Sequence, residues 1–492
     1  MSVEVTMRPS VAMRRTYINL ARIDRWSLGL ALVVGGVATG QAQSIATTQA
    51  PVAPAVVAST AGAEAGALTL EQAVAAALEK NPDRKLAAAE LTAAAAQYRL
   101  SRTHLLPQLG FSEGVARSND PVFAFGTKLR QQQFAATDFS LNVLNRPTPV
   151  NDFTTKFAGQ WTAFDSWMTQ YQMKRGRLAE QGAAQSLGRT DQELVYQVVT
   201  AYESVLMAKR EVEVARQALK TAEAVLELSQ SRVKAGTVVE SDALSAEVNV
   251  ATRKTELIRA EGQLSVAGVA LGNAMGVVLP AETMTVEELH PVTYTMSPLD
   301  AEVALAQQRR PDLKALELQG QAQQTAVKAA KASFGPRVDT FGSWEMDKPS
   351  FAGAGGNNWA AGAELKLDIF PAEKRERLAV EKAGLQRVLA GQASAQSRVR
   401  LEVSRAYYQH LAAAQSVTVT QVALAQAEES LRIIHNRYEA GLATVTDVLR
   451  AEDAERQSQT SYWQSVYENT ISFAALRLAT GTLNADQVGS FQ

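Results

Sequence analysis

Trp359-Ala360-Ala361-Gly362-Ala363-Glu364-Leu365-Lys366-Leu367-Asp368-Ile369-Phe370 alternates with a period of two. Trp359, Ala361, Ala363, Leu365, Leu367 and Ile369 fall on one face; Gly362, Glu364, Lys366 and Asp368 fall on the other. Successive strand side chains point to opposite sides, so the stretch predicts a strand with one apolar and one polar face. Its run of about 11 residues suits a membrane-crossing barrel strand. Phe153 to Phe164 repeats the pattern, with Phe157, Gly159 and Trp161 opposite Lys156, Ala158 and Gln160. Val338, Thr340, Gly342, Trp344 and Met346 oppose Arg337, Asp339, Ser343 and Glu345. Gln108 to Arg117 is less regular, because Glu113 stands among its apolar positions. Membrane barrels start at about eight strands, and an open sheet edge is not viable in lipid. Four such strands therefore require several chains to close one wall. On this reading a charge at Leu367 faces lipid and one at Lys366 faces water.

The strands sit inside a duplicated helical frame. Asn81-Pro82-Asp83 recurs as Arg310-Pro311-Asp312, and Leu106-Pro107 as Gly335-Pro336, both 229 positions on. Arg232-Val-Lys-Ala-Gly236 recurs as Arg437-Tyr-Glu-Ala-Gly441, Asp242-Ala-Leu244 as Asp447-Val-Leu449, and Leu271 with Gly276 as Leu476 with Gly481. These lie 205 positions apart, so the first copy carries a 24-residue excess between Pro107 and about Tyr202. Each copy reads as helix, helix, strand pair, very long helix, long helix. Helices are predicted near Leu70–Lys80, from Pro82 to before Pro107, Asp165–Ala235 and Ser241–Ala274, and again near Asp300–Gln308, Pro311–Ser333, Pro371–Ala440 and Thr446–Ala479. Proline is tolerated in a first turn, and glycine stops a helix by accepting positive φ. Val198, Tyr202, Val205, Ala208, Val212, Ala215, Leu219, Ala222 and Leu226 recur in steps of three and four, the period of a coiled-coil seam. A helix of about 70 residues reaches roughly 100 Å, a length suited to a tube crossing the periplasm.

Composition agrees. Of 492 residues, 46% are hydrophobic but only 6% aromatic, a balance that suits long helices packed through small side chains. The formal net charge of −1 offers no basic surface to nucleic acid, and the absence of cysteine excludes disulfides and thiolate sites. His104, His290, His410 and His435 are scattered without metal-ligand spacing. No catalytic, cofactor or metal constellation stands out. Residues 1–43 read as an export signal: a basic leader with Arg8, Arg14, Arg15, Arg22 and Arg25, an apolar stretch from Leu28 to Val37, then small residues. Residues 44–67 read as a disordered segment, 68–276 as the first copy, 277–297 as a connector, 298–483 as the second copy and 484–492 as a tail. The excess falls between Arg117 and Asp152, where Pro121, Phe123, Phe125 and Phe134 belong to a long loop able to pack in or plug a mouth.

The chain resembles the TolC family of outer-membrane efflux proteins. The likeness rests on Leu68-Thr-Leu-Glu-Gln-Ala-Val, Asn81-Pro82-Asp83, Leu105-Leu-Pro-Gln-Leu109 and both Arg-x-x-x-Gly-x-x-x-x-x-Asp-x-Leu turns. It implies a mainly α fold with membrane β: a long helical barrel, and four strands per subunit in a shared 12-stranded barrel of a homotrimer. It implies an exit duct that performs no chemistry, in contact with outer-membrane lipid. The implied partners are a periplasmic adaptor and an inner-membrane transporter of the RND or ABC class. By the same resemblance, Arg232, Asp242, Arg437, Tyr438 and Asp447 form a periplasmic gate, while Gly236, Thr237, Gly441 and Leu442 dock the adaptor. Asp242 is expected to hydrogen-bond Tyr438 in the closed state. The plainer reading makes the aspartates and glycines helix caps. Ala443 and Arg450 depart from the pattern of relatives, which implies a weaker closing network. The competing class is a periplasmic coiled-coil adaptor or structural protein without a pore.

Overall fold

The computed structural model describes residues 68–279 and 287–491. The predicted export signal and disordered segment lie outside the described residues, as does part of the connector. The first copy runs α1 (Leu70–Lys80), α2 (Pro82–Thr103), β1 (Gln108–Ser118), α3 (Pro121–Arg130), α4 (Leu141–Asn145), β2 (Val150–Phe164), α5 (Met168–Lys234) and α6 (Glu240–Met275). The second runs α7 (Leu299–Arg309), α8 (Pro311–Ala332), β3 (Arg337–Lys348), β4 (Gly356–Lys366), α9 (Ala372–Glu439) and α10 (Val445–Thr480). The predicted helices are all present, with ends shifted by a few residues.

The duplicated motifs build the helix ends. Thr69 caps α1 in a reciprocal capping box with Gln72. Among the described residues four glycines have positive φ: Gly236, Gly276, Gly441 and Gly481. Each closes the same pair of bonds, for example Thr237 N–H to the Arg232 carbonyl and Gly236 N–H to that of Val233. This is the Schellman motif, which satisfies carbonyls a helix end leaves orphaned. Gly276 and Gly481 have a second duty. A Cβ at Gly276 would lie 2.7 Å from Asn81 Cα, and one at Gly481 2.8 Å from Arg310 Cα. The end of α6 thus abuts the start of α2, and the end of α10 abuts the start of α8. Asn81 Nδ2 donates to the Ala274 carbonyl (2.9 Å), and Arg310 Nη1 to that of Ala479 (3.2 Å), which ties each joint. Each copy therefore sets one very long helix, of 67 or 68 residues, beside two shorter ones stacked end to end.

The main apolar core surrounds the middle of α5, where Val195, Val198, Val199 and Tyr202 meet Leu70 and Val74 of α1, Leu271 of α6 and Val466 of α10. Val488 and Phe491 close it, so the predicted tail is folded into this core.

The strands form one antiparallel sheet in the order β1-β2-β3-β4. Its register places Phe111, Phe157, Trp344 and Trp359 directly opposite one another in a single row. Directly paired residues share a face, so the row lies on the same side as Leu109, Trp161, Val338 and Leu365. These side chains are largely exposed, with Leu109 at 84% and Trp359 at 78%. The opposite face carries ion pairs: Lys156 with Glu345 (3.0 Å), Arg337 with Asp339 (2.8 Å) and Lys366 with Glu364 (2.8 Å). Glu113 sits one step beyond the aromatic row, level with Thr155, Met346 and Asn357. Val115 and its partner Phe153 lie one pair further towards the loop ends on the same face, so the Glu113 charge interrupts the apolar face near that end. One expectation needs correction. β4 stops at Lys366, so Leu367 and Ile369 lie past the strand, and Leu365 is its last apolar-face residue. The chain needs those positions to turn towards Pro371, at the start of α9.

Candidate functional site

The turn between α5 and α6 and the turn between α9 and α10 form two tips. Both glycines are fully open: nothing lies within 4 Å of a Cβ at Gly236 (φ +72) or Gly441 (φ +74). Their requirement is backbone conformation alone, and no close approach adds to it. Beneath the tips Val225 and Ala246 of the first hairpin pack with Tyr438, Val445 and Val448 of the second. The tips are thus neighbours within one chain.

Side chains couple them unequally. Arg232 donates to the carbonyls of Tyr438 (3.0 Å) and Glu439 (3.1 Å), and its guanidinium lies 4.4 Å from the centre of the Tyr438 ring. It satisfies carbonyls of the last turn of α9, at the negative end of that helix. Among the described residues Arg437, its counterpart, makes only a long side-chain bond of 3.4 Å to the Leu442 carbonyl in its own turn. Asp447 forms a capping box with Thr444: the Thr444 N–H and hydroxyl both donate to its carboxylate (3.0 and 2.7 Å). Those bonds, the backbone one foremost, hold its carboxyl below the ordinary value of 3.8. Position 239 of the first copy, matching Thr444, is Val239, which gives α6 no side-chain cap. Asp242 accordingly makes no side-chain hydrogen bond among the described residues. The plain cap reading holds for Asp447 and does not describe Asp242.

The expected Asp242–Tyr438 bond is not formed in this conformation. The Tyr438 hydroxyl lies 3.1 Å from Ser229 Oγ, and both residues are buried. A tyrosine lying inward under Arg232 meets this hydroxyl on α5, about two turns before the tip at Gly236. Ser229 is a partner that motif reading missed, since its own match in the second copy, Ile434, carries no hydroxyl. Thr237 bonds back to the Arg232 carbonyl (3.1 Å), while Leu442 stands exposed at the outermost turn.

A second link lies 13 residues into α6, about 20 Å from the tip at 1.5 Å per residue. Arg253, nearly buried, pairs with Glu256 (2.9 Å) on its own helix and with Asp453 on α10. Arg456 reaches Asp453 (3.5 Å) and Glu256 (3.9 Å), so the four charges clasp one hairpin to the other. Glu452 lies buried beside them, and its Oε1 has no hydrogen-bond partner among the described residues. Burial pushes its carboxyl up to about 7. No group of three or more metal-binding side chains occurs among the described residues.

A sheet with one lipid-compatible and one ionic face, carried on paired coiled hairpins linked at their tips, defines a class of protein: the subunit of a duct with a barrel segment and a helical tunnel. The chain belongs to the outer membrane efflux protein family, whose sequence model matches residues 73–277 and 303–482. It is an outer-membrane channel protein, as the resemblance implied. It is similar to the alkaline protease secretion protein AprF of Pseudomonas aeruginosa, at 22% identity over 83% of each chain. It is also similar to the protein CyaE of Bordetella pertussis, at 25% identity over 64% of this chain and 66% of that one. Its fold matches the outer membrane channel CmeC of Campylobacter jejuni with a TM-score of 0.72. That match has 16% identity and covers 85% of this chain and 86% of that one.

Proposed function

We propose that three copies of this chain close a 12-stranded barrel in the outer membrane and a helical tunnel in the periplasm, and that the assembly is a passive exit duct. The observation that carries this is the sheet itself. β1 and β4 are edge strands of 11 residues each, whose outer edges have no partner strand among the described residues, beside an exposed aromatic row. An isolated sheet of this kind is untenable in lipid. Closing it against further copies removes every edge.

The tips face the inner membrane in this arrangement. A periplasmic adaptor docks on Gly236, Thr237, Gly441 and Leu442, and an inner-membrane transporter of the RND or ABC class drives export through it. AprF is named for alkaline protease secretion, which supports a place in a secretion system; OpmQ, 25% identical over 79% of each chain, is named for pyoverdine export, which supports one in efflux. Arg232, Asp242, Arg437, Tyr438 and Asp447 form the gate. Arg232 is its latch between hairpins, and Asp242 is free to meet a neighbouring subunit. No step of bond making or breaking is assigned to any residue.

The test is reconstitution. Protein extracted from outer membranes and added to a planar bilayer should give discrete conductance steps. Recovery as a soluble protein without detergent, or insertion without conductance, would overturn the reading.

A further inference from the structure

The 24-residue excess of the first copy is folded, and it is not folded outward. Helix α3 and its C-terminal cap present Ala124, Thr127 and Gln131 on one stripe, each almost fully buried. The groups it meets are on the ionic face of the sheet. Gln131 Nε2 donates to the Asn151 carbonyl (2.8 Å) and to Asp152 Oδ1 (3.1 Å). The Arg130 guanidinium stands among three acids, Glu345 at 3.3 Å and Asp152 and Asp347 at 3.9 Å each. The Arg130 carbonyl accepts a bond from Asn358 Nδ2 (3.3 Å). A Cβ at Gly356 would fall 2.0 Å from that carbonyl. Only glycine lets the helix end come so close to β4. Asp152, Glu345, Asp347, Gly356 and Asn358 come from β2, β3 and β4, and the register puts all of them on the side opposite the aromatic row. They also lie at the strand ends farthest from the long helices.

We infer that α3 lines the inside of the barrel at its external mouth and sets the size of solute that can leave. This rests on the proposed trimer, in which the ionic face is the lumen wall. Small eight-stranded barrels are filled by their own side chains, whereas barrels of 16 strands hold an open channel. Twelve strands fall between. Three helices, each about 10 Å across with side chains, take up much of the remaining bore. The contacts tying α3 to the sheet are ionic and polar, while its apolar neighbours, Phe134, Val143 and Leu144, belong to the same insertion, so the polar set forms a latch that can be released. α3 is thus a specificity element distinct from the gate at the tips, some 100 Å of helix away.

The test separates the two ends. Neutral polyethylene glycols of graded mass are added to one side of a bilayer holding the full-length protein, and the largest polymer that enters and lowers the conductance is recorded. Arg130→Ala should raise that limit from the external side and leave it unchanged from the tunnel side. Gly356→Ala, which pushes against the Arg130 carbonyl while leaving every charge in place, should do the same. An external limit equal to wild type in both variants would overturn the inference. So would an equal rise from both sides, which would mean general loosening. A wild-type protein that never conducts would instead sink the channel reading on which this rests.

Discussion

At the first tip Arg232 crosses to the carbonyl end of α9; at the second, the Arg437 side chain bonds, among the described residues, only within its own turn. Asp447 is tied up in a capping box, and Asp242, at the matching position, has no side-chain partner among the described residues. The backbone of the two turns is nevertheless the same, down to φ values of +72 and +74 at the glycines. Duplication has preserved the device that ends a helix and has let the side chains diverge. One tip holds itself together; the other holds its neighbour. In the proposed gate this inequality supplies the contact that breaks on opening, because two self-sufficient tips would have none.

The clasp above the tips gives the largest expected effect. Glu452 has a folded pKa of about 7 against an ordinary 4.5, so the folded chain holds its proton more tightly than the unfolded chain does. Its contribution to stability is full below pH 4.5 and is lost as pH rises towards 7. At 1.36 kcal/mol per unit the loss is at most about 3 kcal/mol. Glu203, buried in the main core, is shifted to about 7 as well and acts in the same sense. The thermal transition should therefore fall between pH 5 and 8 (roughly the span of these titrations), and Glu452→Gln should remove part of that fall. An unaltered pH profile in the variant would mean the carboxylate is already neutralised by Arg253.

Next comes the direct contest of the two arginines. Arg232→Ala removes two bonds from a charged donor, worth about 1.5–3 kcal/mol, and the lower half applies because the side chain is partly exposed. The closed tip should loosen and bilayer conductance should rise. Arg437→Ala should stay within about 0.5 kcal/mol, as surface changes do. Equal conductance gains from the two would erase the comparison.

The glycines should behave alike. Valine at Gly236 or at Gly441 meets no atom, but forces a β-branched residue into left-handed backbone, at a cost of about 1–2 kcal/mol. Both variants should reach the membrane, and both should fail in export from cells. Matched destabilisation with export intact would leave the turns as structure and not as docking surface. The smallest effect sharpens the contrast from the other tip. Thr444→Ala should cost about 1 kcal/mol through loss of the cap, and Val239→Ala at the same place in the first copy should cost less. Asp447 contributes above pH 3.8 and its part is lost only as pH falls through its lowered folded value, so the difference should shrink in strong acid to the part carried by the Asp447 N–H bond to the Thr444 hydroxyl. Paired thermal melts at neutral and acid pH would show it.

Much of this architecture is legible in the sequence, because periodicity and repetition are physical constraints that survive in single residues. Proline fixes a helix start and glycine a helix end, so offsets of 229 and 205 located every long element. The strands were legible for the same reason: one face meets lipid and the other meets water. What escaped was long-range. Nothing local in Asn81 or Gly276 says that they touch, although the helix-end motif of each marks half of the joint. Arg253 and Asp453, 200 positions apart, look like ordinary solvated charges until two coiled hairpins bring them together. The loop excess was visible as length, and Phe125 and Phe134 do stack at 4.8 Å, but its inward fold depends on Arg130 and acids more than 200 residues away. Of the residues expected at the gate, Arg232 and Tyr438 meet at the tips, and in this conformation the tyrosine hydroxyl lies against Ser229, a pairing that no local motif announces.

The subunit count tests the central claim most directly. Mass measurement of the detergent-extracted protein should give three chains, because three copies of a four-stranded sheet make a closed barrel of 12 strands while the hairpins make one tunnel wall. A monomer, or a stable assembly of two or four chains, would contradict the account.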